Sequence, residues 1–307
     1  MPLPNSRPFR FGVALHVAAT RREWVEKCRK AEAIGFDTIA VIDHLGKLAP
    51  FPALMLAAEV TDRVRLGTYV LDASYYTLAL LARDIATTDL LIDGRLEVGI
   101  GAGRPSGTQE KLAALGLPYP TGAERVDKLE HLVSELRRLL SDPDTHPQPA
   151  QRSGPPLLIG GRGDRVLRLA AQQADIIAFT GAASSRYGNV GLPAFAGAEA
   201  VAQRVEFARA ALGDRISEVE FNHEAPAVMV TGERRAALEQ LQRFAPSLSM
   251  EERGQVPGFL VGTAEQIADK VRKNRERFGF SYITVLEGGV GGGMDAMAPV
   301  IELLRHQ

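Results

Sequence analysis

Residues 36–46 read FDTIAVIDHLG. An apolar run through Ile39, Ala40, Val41 and Ile42 ends abruptly in Asp43 and His44. Short continuous runs of Val, Ile and Leu suit strands covered on both faces, so the segment reads as a buried strand. A carboxylate and an imidazole at its end have two readings: they cap a loop, or the strand delivers them to a site. Outward from this stretch the same unit recurs. FRFGVALHV precedes TRREWVEKCRKAEAIG, a helix that Thr20 can cap and Gly35 can end. After the second strand come a helix around PALMLAAEVTD, the strand VRLGTYVL, the helix LALLARDIATTDLLI and the strand GRLEVGIGAG. AERVDKLEHLVSELRRLL then sets Val126, Leu129, Val133, Leu136 and Leu140 on one helical face. PPLLIGG, ADIIAFT, VEFNHEAPAVMV and SYITVLEG are the later strands, each followed by a helical segment, and Pro226 is expected to bend or interrupt the third of them.

Eight strands alternating with helices predict an α/β chain, a (β/α)8 TIM barrel with its active site at the C-terminal strand ends. A doubly wound open sheet is the alternative, because local periodicity does not show closure. The whole chain, 1–307, reads as one domain interrupted near 141–156, 181–197 and 245–258. The first of these stretches is Pro-rich and reads as an exposed connection. The second follows the sixth strand on the active face and is expected to act as a lid.

Composition excludes several classes. The 307 residues are 45% hydrophobic and 24% charged, with Lys+Arg 36 against Asp+Glu 37, so a basic nucleic-acid surface is not expected. No apolar run is long enough to span a bilayer and the N-terminus lacks a signal-peptide core, so the expected location is the cytoplasm, with no membrane partner. Cys28 is the only cysteine and falls in a helix pattern, where it reads as a packed thiol. The six histidines show no zinc-binding spacing, and no metal is expected. NHE, residues 222–224, lacks the P-C-x-x-C partner of a zinc deaminase. No G-x-S-x-G elbow or Walker loop is present, so the chemistry is expected to belong to an organic cofactor.

If the barrel closes, His16, Asp43, His44, residues 69–72, residues 101–104, residues 160–163, Thr180 and residues 287–289 share one face. Gly99, Gly101 and Gly103 do not fit the G-x-G-x-x-G spacing. They signal either a strand crowded by its neighbours or clearance for a flat ring. Gly160, Gly161, Arg162 and Gly163 lead straight from a strand into a helix, which suits an anion such as phosphate, with Arg162 or Arg165 as charge partner.

AEAIGFDTIAVIDH, VRLGTYVL, LARDIATTDLLIDGRLEVGIGAGR, IGGRGDRVLRLAAQQADIIAF and LVGTAEQIADKV together resemble the luciferase-like monooxygenase superfamily. More narrowly, they resemble its branch that uses the deazaflavin coenzyme F420 in place of FMN. The resemblance covers residues 9–304 and implies a barrel with an insertion, a homodimer, and a flavin-type ring over the strand ends. It implies that Asp43 helps hold the deazaflavin and that His44 serves in proton transfer, with His16 a second acid–base candidate. It also implies a non-prolyl cis peptide at Tyr69-Val70 backing the ring, and backbone contacts to the cofactor from Gly101, Ala102, Gly103, Gly160 and Gly161. Arg162, Gly163 and Thr180 adjoin those contacts. Arg104 stands where many relatives carry an aromatic residue or a carboxylate, and is placed near the cofactor's anionic tail or an acidic substrate. The function so implied is hydride transfer between F420 and a small organic substrate. The alternative is an FMN-dependent monooxygenase using molecular oxygen. In either case a separate flavin or F420 reductase is the expected supplier of reduced cofactor.

Overall fold

Arg10 pairs in parallel with Tyr282 and Gly12 with Thr38, so the first strand is bonded on both sides and closes the sheet. The computed structural model describes residues 7–103, 108–114, 116, 118–181 and 195–305. Its strands are β1 (Arg10–Leu15), β2 (Thr38–Val41), β3 (Arg65–Thr68), β4 (Leu71–Asp72), β5 (Leu96–Gly101), β6 (Leu157–Gly161), β7 (Ile176–Phe179), β8 (Glu220–Val230), β9 (Phe259–Gly262) and β10 (Phe280–Gly291). The closed path runs β1, β2, β3, β5, β6, β7, β8, β10 and back to β1. This is the expected eight-stranded parallel barrel, with β4 continuing β3 along β5. The intervening helices form the outer layer. They are α1 (Arg21–Ile34), α2 (Pro50–Ala58), α3 (Leu78–Leu91), α4 (Thr108–Ala114), α5 (Gly122–Ser141), α6 (Asp164–Gln173), α7 (Ala198–Leu212), α8 (Arg234–Gln240), α9 (Met250–Gln255), α10 (Ala264–Phe278) and α11 (Gly293–Leu304).

Local chemistry sets the helix ends as the sequence predicts. The Thr20 side chain accepts from the Glu23 amide, and Gly35 ends α1 at φ 102°. Trp24 is buried and donates from Nε1 to the Ala53 carbonyl at 3.0 Å, pinning α1 on α2. Cys28 is buried beside it, and burial pushes its thiol up to about 12.

The barrel interior is polar at its base. Arg10 reaches Glu97 and Glu220, each at 2.6 Å, with its guanidinium 4.4 Å from the Tyr282 ring centre. Midway up, the Tyr69 hydroxyl donates to Asn222 at 2.8 Å, and Asn222 donates to Thr284 at 2.8 Å. Alternate residues of β8 therefore face the interior, and His223 faces the helices.

The structure departs from the sequence reading between residues 226 and 262. Pro226 does not interrupt β8, which runs through it unbroken. At that point β8 exchanges partners, from β7 (last pair Phe179 and His223) to β9 (first pair Ala227 and Phe259). The register with β10 also shifts, between Val285 and Val290. The missing proline donor thus falls at a changeover, where an interior strand position tolerates it. The stretch 245–258, expected to be a loop, contains α9, capped by the Ser249 side chain on the Glu252 amide. β9 lies outside the closed ring and was not foreseen; its four residues are too few to show a period. The connection 142–156 returns from α5 to the base of β6, where Gln151 bonds both Asp89 and the Leu96 carbonyl.

His223 packs edge-on to Phe280 with ring centres 4.6 Å apart. Burial lowers its pKa to about 3. The unfolded imidazole titrates near 6.5, so the unfolded chain binds the extra proton between these values. The stabilisation from a neutral ring is complete above the unfolded value and is lost as pH falls through that window. Urea midpoints at pH 7 and pH 5 check this: His223→Leu should lose about 2 kcal/mol less than wild type over that interval.

Candidate active site

The end of β2 is tied to the end of β4 by one carboxylate oxygen. Asp43 Oδ2 accepts from the Asp72 amide at 3.1 Å and from the Tyr76 hydroxyl at 2.9 Å. Asp43 is buried, and burial raises its pKa; the nearby Asp72 carboxylate adds to the rise and the two hydrogen bonds oppose it. Asp72 caps the short 3-10 turn Ala73–Tyr75 through the Ser74 amide. Gly103, at φ +70°, packs against it, since a Cβ there would lie 2.2 Å from Asp72 Oδ2. His44 follows directly, half-buried, and its carbonyl accepts from the Lys47 amide at 2.9 Å. The sequence separates loop capping from site delivery. In the fold, Asp43 clamps two strand ends and thereby sets where His44 begins.

The Tyr69-Val70 peptide is cis. The Tyr69 side chain points into the barrel and is buried, so its hydroxyl serves Asn222. Val70 lies over the neighbouring strand ends. A Cβ on Gly99 would stand 2.1 Å from the Thr68 carbonyl oxygen and 3.0 Å from Val70 Cγ1. On Gly101 it would stand 3.0 Å from Val70 Cγ2. These glycines clear the backbone and side chain of their own neighbouring strand, which is the crowding that the sequence offered as one of two readings. Ala102 gives its carbonyl to Arg125 Nε of α5 at 3.0 Å.

Three strands round the barrel from β2, β6 ends in the turn that opens α6. Gly161 is tight, because a Cβ would meet Val166 Cγ1 at 2.4 Å. Gly163 is the α6 N-cap, has no side-chain cap bond, and has nothing within 4 Å of its Cβ position. Gly163 therefore puts no side chain at the start of α6, where the first backbone amides of a helix suit an anion. Arg162 is half-buried in this turn. Arg165 is not a charge partner for the turn: it points to α5, 2.8 Å from Asp127 and 2.5 Å from Glu130. Thr180 follows β7, half-buried, just before Gly181. Arg104 and most of the expected lid, 182–194, lie outside the described residues.

His16 follows β1, next to His44 in strand order. Its amide donates to Glu287 Oε2 at 3.2 Å. Burial lowers its imidazole pKa, Glu287 acts against that, and Lys47 and Lys27 add to it. Two residues of this mouth escaped sequence reasoning. Glu224 shares the inward face with Asn222, pairs in register with Thr284, and lies near enough to Tyr69 to help raise its phenol pKa. Only the alternation in NHE signals it. Lys27 belongs to α1 yet reaches Glu287 at 2.5 Å, a contact across the whole chain with no local signal. Among the described residues, no three His, Cys, Asp or Glu side chains converge as metal ligands.

The profile of the luciferase-like monooxygenase family matches residues 6–282. The chain belongs to that family. Among the relatives of this luciferase-like chain is a protein of Amycolatopsis mediterranei named F420-dependent glucose-6-phosphate dehydrogenase. The two are 29% identical over 276 residues, 81% of this chain and 77% of the relative. A solved F420-dependent secondary alcohol dehydrogenase superposes with TM-score 0.72 at 17% identity, covering 97% of this chain and 98% of the other. A monooxygenase from Streptomyces bottropensis superposes with TM-score 0.71 at 17% identity, covering 96% and 97%. At such identities the two structures establish the shared barrel alone.

The two glycine sites of this luciferase-like barrel should respond differently to one methyl group. Gly99→Ala drives a Cβ against the Thr68 backbone and should cost about 1–3 kcal/mol. Gly163→Ala enters open space and should cost no more than about 1 kcal/mol, the penalty of Ala for Gly at a helix N-cap. Melting curves of the two variants against wild type check both outcomes.

Proposed function

We propose that this chain is an F420-dependent oxidoreductase that moves a hydride between the deazaflavin and a small organic substrate. The observation that carries it is the match over most of the chain to a relative named for F420, on a barrel whose strand ends carry Asp43, His44 and the glycine turn that opens α6. The residues fit such a cofactor. The turn 160–163 and the first amides of α6 would take its phosphate, with Arg162 beside them. Val70, spread over Gly101 and Gly160, would back the ring, and Gly101, Ala102 and Gly103 would line its edge. When bound, the deazaflavin supplies a carbon that accepts or gives up a hydride.

This chain's own residues manage the proton. His44 exchanges it with the substrate, since an imidazole changes charge near neutral pH. Asp43, held by the Asp72 amide and Tyr76, orients the cofactor and keeps the His44 backbone in place. The FMN-dependent monooxygenase reading rests on barrels that share the fold alone, and it ranks second.

Parallel binding titrations with F420 and with FMN test the proposal; tighter binding of F420 is expected, and preference for reduced FMN overturns it. His44→Ala should slow hydride transfer at least 100-fold while leaving F420 affinity within about threefold; single-turnover absorbance of the deazaflavin reports both. Glucose 6-phosphate, named for the relative, is the first substrate to assay.

The proposal extends to assembly and location. Leu80 (51% exposed) and Leu91 (58% exposed) stand three turns apart on one stripe of α3 and would pack against a second copy. Sedimentation of the double variant Leu80→Lys, Leu91→Lys should show a monomer where wild type is a dimer. The cytoplasm is the proposed location, with a separate reductase recycling the cofactor there. No helix among the described residues is long and apolar enough to cross a membrane.

A further inference from the structure

β1 and β10 are neighbours in the barrel; His16 directly follows β1, and Glu287 lies in β10 just past its last pair with β1. The two carboxylate oxygens of Glu287 have different duties. Oε1 is 2.5 Å from Lys27 Nζ, and the same ammonium donates to the Val17 carbonyl at 2.7 Å and meets Glu23 at 2.8 Å. Oε2 accepts from the His16 amide at 3.2 Å and lies 3.9 Å from His16 Nδ1. Nδ1 is enclosed and has no hydrogen-bond partner among the described residues. The His16 side chain is nevertheless 20% exposed, so its exposed part lies away from Nδ1. Gly288 supplies the floor on which the ring rests. A Cβ there would lie 2.9 Å from His16 Cε1 and 3.5 Å from Nε2, so a side chain at 288 would push the ring out.

At 3.9 Å the Nδ1 contact is beyond direct hydrogen-bond length, and the carboxylate acts through its charge. A negative oxygen beside one ring nitrogen favours the tautomer that carries its hydrogen there. The groups facing the imidazole are Glu287 on β10, Lys27 on α1 and Lys47 in the turn after β2. The lysines and burial oppose a second proton on the ring, while Glu287 favours one. The balance keeps the ring neutral, with hydrogen on Nδ1 and a lone pair on Nε2.

We propose that Glu287, clamped by Lys27, is the positioning residue that holds His16 as a neutral hydrogen-bond acceptor at the barrel mouth, suited to orient the hydroxyl group of an alcohol substrate. It rests on the oxidoreductase reading above for its use, while proton exchange stays with His44. Glu287 acts on His16 and not on the substrate, so its removal should change the imidazole before it changes anything else.

The test uses the cofactor-free protein with 15N-labelled histidine. Long-range proton–nitrogen spectra report the tautomer and titration of each ring, and His16→Gln assigns the His16 signals. The expected wild-type result is hydrogen on Nδ1 and a titration midpoint below that of an exposed histidine. Glu287→Gln should mix the tautomers and move the His16 midpoint down. Lys27→Met should move it up, because a positive neighbour is lost and Glu287 is released. Opposite shifts are something a purely structural role would not produce, and either variant alone carries one of the two signs if the other does not fold. Hydrogen on Nε2 in wild type, or a midpoint unmoved by a folded variant, overturns the proposal. An F420 affinity weakened tenfold or more in Glu287→Gln also overturns it, because Glu287 would then serve the cofactor site. Failure of wild type to bind F420 strikes the oxidoreductase reading instead and leaves the tautomer result standing.

Discussion

Val70 constrains the whole mouth of the barrel. Its two methyl groups lie over Gly101 and Gly160, and with the Thr68 carbonyl they leave no room for a Cβ on Gly99. Gly99 and Gly101 of β5 must therefore stay small so that the third strand can turn over them. Interiors packed at crystal-like density transmit such demands directly. The turn places Asp72 where it meets Asp43, and that contact in turn sets the position of His44. The glycine pattern and the Asp-His pair are thus two parts of one steric arrangement.

The barrel also separates its ionisable groups by height. Arg10, Glu97 and Glu220 seal the base as a bonded cluster. The Tyr69, Asn222 and Thr284 relay fills the middle. The carboxylates and imidazoles with exposed surface lie at the top, beside the βα turns. Buried charges at the base are satisfied by each other, as they must be to remain ionised away from water. At the mouth, Asp43 is held through a single oxygen, and His16 has an enclosed nitrogen facing only the charge of Glu287. The difference is physical: the Arg10 cluster at the base is bonded within itself, and at the mouth His16 keeps one enclosed ring nitrogen without a hydrogen bond.

Much of this was legible beforehand. Thr20 and Gly35 announce the ends of α1, the Val, Ile and Leu runs announce the barrel strands, and Gly160 to Gly163 announce a tight turn from a strand straight into a helix. The cis Tyr69-Val70 peptide follows from the resemblance and not from periodicity. Two local signals misled, and a third left two readings open. Pro226 reads as a break, but it sits where β8 changes partners, so its missing donor is not needed. Arg165 reads as a phosphate partner from its place beside the turn, but one residue of helical rotation carries it to the acidic face of α5. Gly99 and Gly101 read equally as ring clearance or crowding, and the distances to Thr68 and Val70 decide for crowding.

The sequence by itself determined the alternation of strands and helices and the residues that the strand ends present, because each depends on periods and turn chemistry within about ten residues. Only the tertiary structure decided what those residues do to one another. Lys27 and Glu287 lie at opposite ends of the chain and meet because β1 and β10 close the ring. Glu224 becomes a mouth residue because β8 turns that side chain inward beside Tyr69. Contacts of this kind arise from closure, and closure brings together residues that carry no local record of their partners.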